Sequence, residues 1–253
     1  NTIFSGALFL WMWFPASPQR KTADWVKLGL ATALLALVRW QEGVLVLVPL
    51  AELLWWVVQK TLPIQQAFRI GLIFIFVVLL GFIPQFVMWT VVYGSPVTLP
   101  QGSGFMEWFA PNPLLALFST RHGLISWHPI YLFAVIGFGF LWRKNKALTL
   151  VVMFAFLSQL YINSAAERWW ADDAFGGRRF TGLIPFLTMP LAVLLAHFEE
   201  RKWLRYFVGF AVLLLIWNGL SFVQYRLGLI DRSAALTLRE MTLDRILLPW
   251  TLL

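Results

Sequence analysis

IGLIFIFVVLLGFIPQFVMWTVVY, residues Ile70–Tyr93, decides the fold. From position 70 to position 93 it contains no acid and no base. A helix of that length rises about 36 Å, more than the roughly 30 Å of hydrocarbon in a bilayer. Shorter apolar runs lie on both sides of it. The whole chain of 253 residues is 60% hydrophobic and only 13% charged, with a mean hydropathy of +0.73. Those values lie outside the range of soluble domains. The sequence therefore predicts an all-α, polytopic transmembrane helix bundle with room for about seven or eight spans. One transmembrane domain over residues 1–253 is expected, with no separate soluble domain.

The uncharged runs give the candidate spans. Thr2–Pro15 reads as the end of one helix. Val26–Val38 and Gly43–Val58 form a short pair joined by Arg39-Trp40-Gln41-Glu42. Ile70–Tyr93 is followed by a long connection, 94–128, rich in proline and glycine. Pro129–Trp142, whose helix is expected to start a turn or two earlier near Leu124, Ala147–Ile162, Thr181–Phe198 and Tyr206–Val223 complete the set, and an amphipathic tail of mixed charge covers 226–253. The chain opens on Asn1, and Thr2–Phe14 lacks a basic leader or cleavage site. It is expected to begin inside a longer protein, not at a signal peptide.

Charge sets the orientation. If the spans alternate, Lys21, Lys27, Lys60, Lys144, Lys146 and Lys202 all fall on one side. By the positive-inside rule that side is cytoplasmic. The connections 94–128 and 163–180 and the tail then face outward, in a cell (plasma or inner) membrane. The net charge of +8 belongs to this topology, and no nucleic-acid partner is expected. The absence of cysteine excludes disulfides and thiolate metal sites. Arg39, Arg121, Arg168, Arg178, Arg179, Arg226, Arg232, Arg239 and Arg245 remain on the outer side. Arginine offers a planar fork to phosphate or carboxylate, whereas lysine is a point charge. An outer face with arginine and no lysine suits oxyanions, although pairing with nearby acids and lipid headgroups is the alternative.

Two outward segments concentrate the chemistry. Glu167-Arg168-Trp169-Trp170-Ala171-Asp172-Asp173-Ala174-Phe175-Gly176-Gly177-Arg178-Arg179-Phe180 places six charged residues between apolar runs. Gly176-Gly177 permits a left-handed turn, which sets Arg178 and Arg179 at the mouth of a span, an arrangement suited to phosphate. Trp169 and Trp170 fit either the interfacial aromatic belt or a platform for a sugar face. Asp172 and Asp173 fit an ion pair with the loop's arginines, a general base or a divalent metal. No cofactor is expected, and a divalent metal is left open by these two acids. The second segment, Phe118–Pro129, holds the adjacent Arg121 and His122, with His128 six residues on, a spacing unlike helical metal ligands. Arg39 and Glu42 are spaced for an ion pair. Glu52 lies mid-span and must face the interior, stay protonated or find a partner.

These segments resemble the GT-C membrane glycosyltransferases of the family 39 and RgtA-B-C-D-like type. Within Pro113–Gly137, Leu-Phe-Ser-Thr-Arg-His-Gly-Leu-Ile-Ser-Trp-His-Pro resembles a stretch that leads into a membrane helix in those enzymes. Trp169–Pro190 is similar to their Trp, Gly-Gly and Arg region followed by an apolar helix. Leu-Val-Arg-Trp-Gln-Glu-Gly, ending at Gly43, resembles their Arg-Pro-Glu-Gly turn. The resemblance covers roughly residues 30 to 198, with three motifs in order. It implies transfer of a sugar from a polyprenyl-phosphate carrier to an acceptor at the outer face. Arg121, Arg178 and Arg179, and more weakly Arg39, then bind the lipid phosphate, with His122 and Trp170 beside them. The family's catalytic carboxylate lies upstream of the matched region, so no catalytic base is carried over. The partners implied are a polyprenyl-phosphate-linked sugar and membrane lipids. A non-catalytic subunit that scaffolds a larger complex of membrane proteins is the alternative, and a lipid or anion transporter a third reading.

Overall fold

A computed structural model describes residues 1–102 and 104–251. It is all-helical, without a named strand among the described residues. Among the described residues, five helical segments are long and apolar enough to cross a membrane: Trp40–Val58, Ile64–Tyr93, Lys146–Ser164, Arg178–Glu200 and Leu204–Arg226. The chain forms two compact units, residues 1–104 and 105–253.

In the first unit α1 (Thr2–Trp13) and α2 (Thr22–Val38) precede a 3-10 segment, Trp40–Val46, that runs into α3 (Leu47–Val58) and then α4 (Ile64–Tyr93). The decisive apolar run thus forms a helix six residues longer at its start, because Ile64-Gln65-Gln66-Ala67-Phe68-Arg69 continues the turn after Pro63. Gly94 ends it in the left-handed conformation, φ 74°. The core centres on Trp25, whose ring meets Phe74 and Trp56 edge-on at 6.0 and 6.3 Å. Glu52 has a partner: Arg20 Nη1 lies 3.2 Å from its carboxylate, with the two side chains 5% and 9% exposed. Arg20 also donates to the Trp13 carbonyl and lies 4.9 Å over the Trp25 ring. The mid-span acid is therefore charge-compensated by a residue between α1 and α2.

The second unit contains α5 (Pro113–Phe118), α6 (Leu124–Trp127), α7 (Ile130–Lys144), α8 (Lys146–Ser164), a 3-10 segment Arg178–Leu183 leading into α9 (Ile184–Glu200), and α10 (Leu204–Arg226). Two short tail helices follow, α11 (Leu238–Met241) and α12 (Leu243–Thr251). Pro129 separates α6 from α7, so the helix expected from Pro129 does not extend back to Leu124. The turn Arg143–Lys146 is tight because Asn145 caps α8, accepting from the Leu148 amide at 3.0 Å.

The main packing is α7 against α9, and Gly137 permits it. A Cβ built at Gly137 would sit 2.2 Å from the Pro190 carbonyl oxygen and 2.6 Å from its carbon. The obstacle is backbone, so the helices must separate to admit even a methyl group. Gly137→Ala is expected to destabilise the protein by about 1–3 kcal/mol, the usual range for overpacking. A lower unfolding temperature in detergent, relative to Gly139→Ala, checks this. Nothing lies within 4 Å of a Cβ at Gly139.

Candidate functional site

At one end of the second unit the connections before α7 and after α8 meet the tail. Backbone pairing fixes the first contact. The Glu167 amide donates to the Phe105 carbonyl at 2.9 Å, and the Glu107 amide to the Ala165 carbonyl at 2.7 Å. Met106 and Ala166 form an antiparallel bridge. The loop 167–180 and the segment 118–129 are then joined through side chains.

Arg121, His122 and Trp170 come together. The Arg121 guanidinium lies 3.5 Å over the Trp170 ring, a cation–π stack. Its Nε donates to the Ser233 carbonyl. That uses one of its five donors, and among the described residues no carboxylate lies within ion-pair distance. Ser233 is held by Asp231, whose carboxylate accepts from the Ser233 and Ala234 amides, both at 2.7 Å. Those bonds keep the Asp231 carboxyl below its usual range.

His122 is 2% exposed and adopts φ 61°, a left-handed conformation that histidine visits more readily than most residues. Its Nδ1 lies 2.9 Å from the Trp170 carbonyl. A carbonyl can only accept, so Nδ1 carries the proton and donates. Nε2 is left as a buried acceptor with no hydrogen-bond partner among the described residues. The ring meets Trp127 edge-on at 4.9 Å, and Trp127 Nε1 donates to the Thr120 carbonyl at 2.9 Å.

Burial pushes the His122 pKa below 6.5, assisted by the Arg121 cation and only partly offset by the bond to Trp170. The neutral ring is therefore the native form. A depressed folded pKa gives stability that is full above the unfolded value of about 6.5. That stability is lost as pH falls below it, because the unfolded state takes up the proton first. Acidification from pH 7 to pH 5 is expected to lower the unfolding temperature. His122→Asn keeps an N–H donor and tolerates the left-handed backbone, so it should flatten that dependence. An unchanged pH slope in the variant would remove His122 as its source.

Gly176 adopts φ 56°, and a Cβ there would lie 2.5 Å from His128 Nε2. The expected left-handed glycine turn is thus present at Gly176, whereas Gly177 has φ −75°. Arg178 follows, exposed and without an ion pair among the described residues. It is close enough to His122 to contribute to its electrostatic field. Arg179 is turned differently: Nη2 donates to the Arg168 carbonyl at 3.0 Å, and the guanidinium lies 5.5 Å from the Phe105 ring centre.

Of the loop acids, Asp172 pairs with Arg168 at 3.3 Å, both exposed. Asp173 offers its backbone carbonyl to the Tyr225 hydroxyl. Trp169 and Trp170 meet edge-on at 5.7 Å, and one face of Trp170 is taken by Arg121. Among the described residues no three His, Asp or Glu side chains gather as metal ligands. Arg39 lies in the first unit, where its Nε is 4.0 Å from Glu42. Glu42 is buried, and its carboxylate oxygens make no hydrogen bond among the described residues.

Sequence reasoning missed the part of the site that comes from the tail. Ser233 lies 112 residues from Arg121, and Phe175 packs on Trp127, Phe222 and Tyr225 at 5.3 to 5.5 Å. The local signal for the tail turn was Asp231-Arg232-Ser233, an acid followed two residues later by serine. The chain matches no protein-family model, no curated protein and no solved structure.

Proposed function

We propose that the chain is the lipid-phosphate-binding part of a membrane glycosyltransferase of GT-C type, with seven or eight spans, working at the outer face of a cell membrane. One observation carries the reading: Arg121, stacked on Trp170 at 3.5 Å and with no carboxylate within ion-pair distance among the described residues, stands beside the neutral His122 and near the exposed Arg178. Forks without acids suit a phosphate. The five apolar helices supply the membrane setting. α1, α2 and α7, of 12, 17 and 15 residues, make up the remaining spans as short or paired segments.

In this reading the acceptor hydroxyl attacks the anomeric carbon of the sugar, loses its proton to a base, and the carbon–oxygen bond to the phosphate breaks. The polyprenyl phosphate leaves with increased negative charge. Arg121 and Arg178 stabilise that charge, and Trp170 holds the Arg121 fork in place. The base is not assigned to any residue of this chain. Asp172 is held by Arg168, which supports the second reading, a non-catalytic membrane subunit.

The two readings separate in one assay. The purified full chain in nanodiscs is offered a polyprenyl-phosphate sugar. The lipid-phosphate reading expects saturable binding that Arg178→Ala with Arg179→Ala abolishes. Binding unchanged by the double replacement would overturn it, and no binding to the unaltered chain would favour the subunit.

A further inference from the structure

Helix α12 carries an apolar stripe that no described residue of the second unit covers. Leu243, Ile246, Leu247 and Trp250 follow at i, i+3, i+4 and i+7, one face of an α-helix, and each is at least 50% exposed. The opposite face is pinned. Arg245 is 1% exposed, its guanidinium lies 4.8 Å from the Trp217 ring centre, and its Nε donates to Gln224 Oε1 at 3.1 Å. Gln224 Nε2 in turn donates to the Glu240 carbonyl at 3.2 Å. Burial lowers Arg245 only to about 10, so the pin stays charged at neutral pH. These contacts fix the rotation of α12, and with it the direction of the stripe.

The place of the contacts identifies what covers the stripe. Trp217 and Gln224 lie in the last three turns of α10, within about 14 Å of its end. α10 is long and apolar enough to cross a membrane, and Leu213 and Phe210, four and seven residues before Trp217 and so on the same side of the helix, are 63% and 43% exposed. The stripe therefore adjoins a surface that a membrane-crossing helix turns to lipid. Four side chains on one short helix fall well short of the roughly 800 Å² per partner of a stable protein interface. They do suit the headgroup–acyl boundary, where interfacial helices bury an apolar face and tryptophan is favoured.

We infer that α12 is an interfacial helix seated in the lipid headgroup–acyl boundary beside the end of α10. It lies at the end of the unit that holds Arg121, because the tail that bears it also supplies Ser233. Its role is to anchor that tail, and so the turn that positions Arg121, to the membrane surface. The inference does not depend on which lipid the arginines bind.

The chain has no cysteine, so single spin labels can be placed without background. Leu243→Cys, Leu247→Cys and Trp250→Cys are made in the full chain, with Arg239→Cys as the polar control and Leu215→Cys on α10 as the lipid reference. Each replaced side chain is exposed, which leaves folding undisturbed. The labelled proteins are reconstituted in phosphatidylethanolamine and phosphatidylglycerol vesicles. The stripe positions are expected to match Leu215→Cys, with oxygen accessibility several-fold above that of a water-soluble nickel chelate, and Arg239→Cys to show the reverse. Nickel accessibility along the stripe would overturn the inference in favour of an aqueous helix. Shielding from both reagents would overturn it in favour of a protein partner or a second copy.

Discussion

Arg121→Ala is expected to weaken binding of a polyprenyl-phosphate sugar by about 10- to 100-fold, the loss of one charge-assisted hydrogen-bonding group worth about 1.5–3 kcal/mol. The guanidinium is already ordered: Trp170 lies 3.5 Å beneath it and the Ser233 carbonyl accepts from its Nε. In the proposed reading a ligand phosphate would meet a fork that is held in place. Arg121→Lys should recover only part of the affinity, because an ammonium has the charge but neither the planar fork nor the same stack. Titration of a fluorescent polyprenyl-phosphate sugar into nanodiscs reads both variants. Equal affinity of Arg121→Ala and the unaltered chain would remove Arg121 from the site.

The second large effect lies in the first unit and concerns stability. Arg20→Ala is expected to cost about 3–5 kcal/mol, because it leaves the Glu52 carboxylate buried without its partner. The pair is only 5% and 9% exposed and separated by 3.2 Å, so solvent screens it little. Arg20 also donates to the Trp13 carbonyl and covers Trp25, and alanine loses these contacts as well. Replacing both members, as Arg20→Met with Glu52→Leu, should recover most of the loss, since well-packed apolar pairs substitute for buried ion pairs at little cost. Denaturation in mixed micelles measures the cycle. If Arg20→Ala alone left stability unchanged, the pair would have no structural role.

The helical character of the chain and the core of each long span were legible in the sequence because an uncharged run such as Ile70–Tyr93 has few alternatives in lipid. The ends were less legible. α4 begins six residues early, and the connection 94–128 contains α5 and α6, whose six and four residues are too short to show a helical period. Glu52 signalled that it needed a partner, but the partner, 32 residues away, was a matter of tertiary packing.

The site was partly legible for the same reason. Charged residues in Glu167–Phe180 and in Phe118–Pro129 stood out against apolar surroundings, and Gly176 announced a left-handed turn. What could not be read was the stack of Arg121 on Trp170, the orphaned Nε2 of His122, or the support from Ser233, all of which join segments 48 to 112 residues apart. Arg245 read as one more charge in a mixed tail, yet it is among the largest fully buried side chains. Arg178 and Arg179 read as a matched pair, but only Arg178 is exposed, while Arg179 is drawn back onto the Arg168 carbonyl.

The central claim is that an anionic lipid phosphate sits at Arg121 and Arg178. Photo-crosslinking tests it most directly: a polyprenyl phosphate with a diazirine beside its phosphate is irradiated with the full chain in nanodiscs, and the labelled peptides are identified. The expected adducts fall within 118–129 and 167–180 and disappear with excess unlabelled polyprenyl phosphate. Labelling confined to the lipid-exposed faces of α4 and α10, unaffected by that competitor, would contradict the claim.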